Sequence, residues 1–199
     1  MFDATHLFFD YQDKSILGDI HFSLNEGELL FLRGKNGAGK TTLLKLLAGL
    51  LEPNAGQIFF NGKNIQDSDS DYTKSLCYIG HKATINPLLT VKENCFFDLH
   101  WGGRPIVLAT LLKALNLEHL IDEPGYHLSA GQKRRLSLLR LFYTEAKLWL
   151  LDEPLTSLDE EGVTVLMKQI KHHLKEGGMV ILTSHQPLPL DIEYKELAL

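Results

Sequence analysis

The run Gly34-Lys35-Asn36-Gly37-Ala38-Gly39-Lys40-Thr41-Thr42 constrains the fold of this chain more than any other segment. It has the form G-x-x-x-x-G-K-[ST] and lies between an apolar stretch at 28–33 and a leucine-rich one at 41–50. Such a loop works at a strand-to-helix junction. Its glycines let backbone N–H groups fold around phosphate without Cβ clashes, and the helix N-terminus adds partial positive charge. Lys40 then reaches the phosphates as a point charge, and the Thr41 hydroxyl is a candidate ligand for Mg²⁺. A strand–loop–helix unit is therefore built into the chain.

The rest of the pattern extends that unit. Strands are predicted over 6–11 and 16–24 around a polar turn at Gln12-Asp13-Lys14, with a second turn at Asn25-Glu26-Gly27. The strand over 28–33 enters the loop, and the helix over 41–50 leaves it and ends near Gly49 and Pro53. Residues 57–60 with Asn61-Gly62 read as a hairpin, and 75–79 as a core strand. Helices over 91–101 and 105–116, parted by Gly102-Gly103, form an inserted helical lobe at about 90–125. Short apolar strands at 148–151 and 179–183 flank a helix at about 160–176. Strands alternating with helices argue for an α/β fold around a mixed or largely parallel central sheet, with a small antiparallel β lobe. The 199 residues suffice for one domain over 1–199 with a substantial core.

The strand at 148–151 runs into Asp152-Glu153-Pro154. A carboxylate at the carboxyl end of such a strand lies near the phosphate loop, where Asp152 can hold Mg²⁺ and Glu153 can polarise a water for in-line attack on a γ-phosphate. Other chemistry is excluded or unsupported. A net charge of −5 gives no general pull toward nucleic acid. No stretch approaches the roughly 20 apolar residues needed to cross a bilayer, and residues 1–5 lack a secretory signal. Cys77 and Cys95 have no metal or redox spacing and read as reduced thiols.

Between the phosphate loop and the acidic pair stands Leu128-Ser129-Ala130-Gly131-Gln132. Loop, L-S-x-G-Q and acidic pair in this order resemble the ATP-binding cassette (ABC) ATPases, a P-loop NTPase family, over about residues 5–188. The resemblance implies that Ser129, Gly131 and Gln132 complete the ATP site of a second copy of the chain in a head-to-tail dimer. It also implies that Ser157-Leu158-Asp159 is the loop bridging the two sites, with Asp159 facing nucleotide. By the same resemblance His185, after the strand at 179–183, contacts the γ-phosphate, and Tyr11, six residues before Leu17, stacks on adenine. Gly34, Lys35, Asn36, Gly37, Ala38, Gly39, Lys40, Thr41 and Thr42 hold the ATP phosphates.

One position departs from that family. A glutamine usually follows the strand that here reads Leu76-Cys77-Tyr78-Ile79, nine residues before the start of the helical lobe; counting back from Thr90 lands on His81. An imidazole nitrogen can still meet a Mg²⁺-bound water, but its proton affinity makes that contact pH-sensitive. Two readings compete: a substitution that preserves activity, with His81 among the catalytic and metal-contacting groups, or an ATPase that is tuned down.

Tyr78-Ile79-Gly80-His81, the alanine within the signature, Lys133-Arg134-Arg135 after it and the short segment after Thr183-Ser184-His185-Gln186 are similar to the ATP-binding subunits of cytochrome c maturation haem exporters. That resemblance implies a peripheral protein on the cytoplasmic face of the bacterial inner membrane. Its partners would be an integral membrane subunit and haem-handling proteins, with ATP hydrolysis driving release of a haem-loaded chaperone. No direct haem binding follows, since His100 beside Trp101, His119, His127 and His172-His173 read as surface or core histidines. The groove between His81 and Trp101, with Pro87-Leu88-Leu89 and Phe96-Phe97 as apolar anchors, is the expected docking surface. The ATPase subunit of another ABC exporter and an ATP-dependent assembly scaffold with little turnover stand as alternatives.

Overall fold

A long two-stranded ribbon opens the chain: β1 (Phe2–Tyr11) pairs antiparallel with β2 (Lys14–Leu24). The structure is a computed structural model and describes residues 1–12, 14–67, 71–99, 108–185, 187–188 and 192–199. The ribbon continues into β4 (Ala55–Phe60) and β5 (Lys63–Asn64), giving a four-stranded antiparallel sheet in the order β2-β1-β4-β5. The turn between β4 and β5 is Asn61-Gly62, a pair suited to a tight hairpin.

The second sheet is wholly parallel. Its order is β6 (Leu76–Ile79), β7 (Leu148–Leu151), β8 (Met179–Thr183), β3 (Leu29–Arg33) and β9 (Lys195–Ala198). Side chains alternate strictly between its faces. Leu30, Leu32, Leu148, Leu150, Met179 and Ile181 join a core shared with the antiparallel sheet and helix α1 (Lys40–Leu47). Leu29, Phe31, Trp149, Leu151, Val180 and Leu182 face the other way, into a core closed by α6 (Glu160–Lys175). Both faces are covered, which is why these strands read as unbroken apolar runs.

A third core belongs to the helical region: α3 (Val91–Leu99), α4 (Leu108–Ala114) and α5 (Ala130–Leu138) surround Val91, Cys95, Leu112, Leu128 and Leu139. A short α2 (Asp71–Lys74) precedes β6. The sequence Leu89-Thr90-Val91-Lys92-Glu93-Asn94 has a local explanation. Thr90 and Glu93 exchange hydrogen bonds in a capping box at the start of α3, which holds the Glu93 carboxyl below its ordinary range. Asn94 staples the preceding loop, donating to the carbonyls of Asn86, Leu89 and Thr90 and accepting from the Asn86 N–H.

Several boundaries move from expectation. The first two strands are longer, α4 ends at Ala114 rather than 116, and β9 appears where no strand was predicted. Asp13, the Gly102-Gly103 break, residues 105–107 of the expected second helix, His100, Trp101 and Gln186 lie outside the described residues, as does the side chain of Phe97.

Candidate active site

Four adjacent strands of the parallel sheet deliver their carboxyl ends to one cleft. From β6 comes His81, from β7 the pair Asp152-Glu153, from β8 His185, and from β3 the phosphate loop. The cleft has a volume of about 450 Å³ and is lined by residues 35–42 together with Ile16, His81, Asp152, Glu153 and His185. Crevices outside the carboxyl ends of parallel strands are where such sheets bind ligands.

The loop is closed around its own lysine. Lys40 is buried, and its Nζ donates to the carbonyls of Gly34 at 2.6 Å and Lys35 at 3.2 Å. Gly39, at φ 98, takes the left-handed turn that starts α1, so Lys40, Thr41 and Thr42 form its first turn under the cleft. The Thr41 hydroxyl donates to Asp152 Oδ2 at 2.8 Å. Asp152 is 1% exposed, so a carboxylate and a hydroxyl meet in a nearly dry corner beside the phosphate loop. Two hard oxygen donors in that setting fit a small divalent cation such as Mg²⁺. The negative charge there, together with burial, pushes the Tyr78 hydroxyl above its ordinary pKa, burial being the larger cause.

Thr183, which closes β8, ties the acidic pair together. Its hydroxyl donates to Asp152 Oδ1 at 2.9 Å and accepts from the Glu153 N–H at 2.8 Å, with no exposure to solvent. Glu153 itself sits at φ 50, unusual for a residue with a side chain. One carboxylate oxygen accepts from the His185 N–H at 3.1 Å. The other, Oε1, has no hydrogen-bond partner among the described residues; His185 Nε2 lies 3.3 Å away without the alignment of a hydrogen bond. That bare oxygen is available to a water or substrate group. Thr183→Val keeps the shape of this corner but strands a buried N–H and a carboxylate oxygen. It is expected to destabilise the chain by about 1–3 kcal/mol in urea unfolding. An unchanged urea midpoint would show that the hydroxyl carries no stability.

The signature run is elsewhere. Ser129 caps α5, accepting from the Gln132 N–H at 3.2 Å, while the Gln132 side chain accepts from the Ser129 N–H at 2.8 Å. Gly131 backs onto the 157–159 loop so closely that a Cβ there would lie 2.8 Å from the Ser157 carbonyl oxygen. Asp159 caps α6 through the Gly162 N–H and receives the Arg135 guanidinium at 2.5 and 2.6 Å, which holds its carboxyl below the ordinary range. Ser129, Gly131, Gln132 and Asp159 do not line the cleft of their own chain. Tyr11 does not line it either; its ring packs edge-on against Phe9 and is half exposed, and Ile16 is the ribbon residue that reaches the cleft.

Sequence reasoning singled out neither Thr183 nor Ile16, and gave Arg134 no role of its own. Arg134 is buried, and its guanidinium donates to the backbone of the strand ends rather than to a carboxylate. Burial lowers its pKa, with the charges of Asp152 and Glu153 opposing.

Comparison with known proteins places this geometry. Residues 17–156 match the family model for ABC transporters. The chain is 50% identical over 197 residues to the cytochrome c biogenesis ATP-binding export protein CcmA of Legionella pneumophila, covering 98% of both chains. It is 42% identical over 188 residues to the protein of the same name from Escherichia coli (strain K12), covering 94% of this chain and 90% of that one. A solved structure of the ATP-binding subunit of an ABC transporter superposes with a TM-score of 0.82 at 27% identity, covering 93% of this chain and 79% of that one.

Proposed function

We propose, from the premise that the chain belongs to the ABC transporter family, that it is an ATP-binding and ATP-hydrolysing subunit of a membrane export complex serving cytochrome c maturation. The observation that carries this reading is the convergence of four parallel strand ends on one cleft, bringing together Lys40, Thr41, Asp152, Glu153, His185 and His81. The similarity to the CcmA proteins over nearly the whole chain supports the export role. The cargo class we infer is haem, delivered through release of a loaded chaperone by the partner proteins.

In this reading Lys40 leaves its two loop carbonyls to bind the β- and γ-phosphates of ATP. Thr41 and Asp152 would hold Mg²⁺, which supplies charge neutralisation at the phosphate oxygens when bound. The Glu153 oxygen without a hydrogen-bond partner among the described residues, Oε1, accepts a proton from the attacking water, and His185 and His81 flank the same volume as contacts for the γ-phosphate and the metal's water. Ile16 offers the adenine an apolar wall, and Tyr11 stands further along the same strand pair.

Ser129 and Gly131 do not line the cleft of their own chain, which supports a second copy of the chain as the owner of the site they complete. A chain in which Lys40 is replaced by Met and another in which Ser129 is replaced by Phe would then complement each other. Each alone is expected to be inactive, whereas an equal mixture should regain roughly a quarter of parental phosphate release, because half the dimers are mixed and each carries one intact site. An inactive mixture would sink the head-to-tail arrangement.

Attachment to an integral membrane subunit at the cytoplasmic face fits the exposed apolar residues of the helical region, Leu88, Phe96 and Tyr126. Among the described residues no helix is long and apolar enough to cross a membrane. Haem staining of c-type cytochromes in cells carrying only the Glu153→Gln chain tests the whole reading; normal staining would refute it.

A further inference from the structure

Two neighbouring arginines on α5 grip opposite ends of the segment that carries the acidic pair. Arg135 holds its far end, through Nη2, which donates to both carboxylate oxygens of Asp159, and a bond from Nη1 to the Leu115 carbonyl at 3.0 Å. Arg134 holds its near end. Its Nη2 donates to the carbonyls of Asp152 at 2.9 Å and Glu153 at 2.8 Å, Nη1 to that of Gly80 at 2.9 Å, and Nε to that of Pro154 at 3.4 Å.

The pattern of acceptors is specific. The Asp152 and Glu153 carbonyls belong to the two peptide planes on either side of the Glu153 Cα, so one nitrogen fixes both. Glu153 is held at φ 50 and precedes a proline, which narrows its backbone freedom further. A residue in that conformation keeps it only where its surroundings over-determine it. Thr183 pins the Glu153 N–H from the other side. The Gly80 carbonyl extends the same clamp to the residue before His81. A planar guanidinium has donors spread across a rigid fork, and a lysine ammonium cannot span these four acceptors.

We propose that Arg134 is a positioning residue for hydrolysis: it sets the backbone of Glu153 and links it to the helix that Ser129 caps. The helix is one rigid element from the Ser129 cap to Leu138. A shift of the signature run when it meets a second chain's nucleotide is therefore passed to the acid of its own cleft, and to His81, along the stretch of helix from the Ser129 cap to Arg134. This inference rests on the reading of Glu153 as the group that activates water.

The test measures ATP hydrolysis and ATP binding by the full-length chain with Arg134→Lys, Arg134→Gln, Glu153→Gln and the Arg134→Gln/Glu153→Gln pair. The Arg134 variants are expected to lose kcat by about tenfold or more while KM for ATP stays within about threefold. In the pair, Arg134→Gln should leave the residual rate of Glu153→Gln unchanged within about twofold, since it acts through that carboxylate. Parental kcat in both Arg134 variants overturns the proposal. So does a further multiplicative loss in the pair, or loss of the ATP-induced rise in Tm in both variants, each of which makes Arg134 a general framework residue. If Glu153→Gln itself hydrolyses ATP at the parental rate, it is the reading of Glu153 that fails, which separates the two outcomes.

Discussion

Replacing Glu153 by glutamine is expected to lower phosphate release about 10²- to 10⁴-fold while ATP binding survives. The two halves of that expectation come from different parts of the site. In the proposed reading phosphate would be gripped by Lys40 and the loop, and Mg²⁺ would be held where Thr41 meets Asp152, none of which the substitution touches. Glutamine keeps the size of the side chain and an oxygen to accept from the His185 N–H. It lacks only the basicity of the oxygen that has no hydrogen-bond partner among the described residues. A loss of that size corresponds to about 3–5 kcal/mol of transition-state stabilisation. Single-turnover phosphate release and equilibrium ATP binding, measured on one preparation, separate the two effects. A glutamine variant within about tenfold of the parent would remove Glu153 from the role of general base.

A loss of similar size, in stability rather than rate, is expected from Gly56→Ala. Gly56 lies at φ 92 where β4 crosses the irregularity in β1, between the Thr5 and Phe8 registers. A Cβ there would sit 2.2 Å from the His6 carbonyl oxygen and 2.6 Å from that of Thr5. These are backbone atoms of a paired strand and cannot swing aside. Left-handed strain and forced overpacking each cost about 1–3 kcal/mol, so about 3–5 kcal/mol in all is expected. In a chain of this length that lowers Tm by on the order of 10 °C. Gly62 is the control: at φ 77 it has the same kind of conformation, but nothing lies within 4 Å of its missing Cβ. Gly62→Ala is expected to cost only the strain, about 1 kcal/mol. Equal losses at the two positions would show that crowding against β1 is not what requires glycine at Gly56.

These two positions mark what the sequence reveals and what it hides. The places of Lys40, Thr41, Asp152 and Glu153 at one cleft are legible because they follow from spacing to a neighbouring strand or loop, and a buried parallel strand leaves an unbroken apolar run. Gly56 is hidden because its neighbour is His6, brought close by a strand irregularity that no local pattern records. Thr183 looks like the polar end of an apolar strand, and only the pairing of β7 with β8 places its hydroxyl between Asp152 and Glu153. Arg134 reads as one charge in a basic helix, yet it is buried against carbonyls from two strands. β9 escaped notice because Lys195-Glu196-Leu197-Ala198 is mostly exposed at a sheet edge, without the apolar alternation that signals a strand.

The strand order also dictates when the cleft can exist during synthesis. β3 is made early, but Leu29 pairs with Val180 and Leu30 with Lys195, nearly the whole length of the chain later. Until those residues emerge, the apolar strand that launches the phosphate loop has no neighbour on either side, and a nascent chain carries it exposed. Such long-range pairings form slowly. The cleft, which sets the acidic pair and His185 beside the phosphate loop, is thus complete only once β7 and β8 have been made and paired.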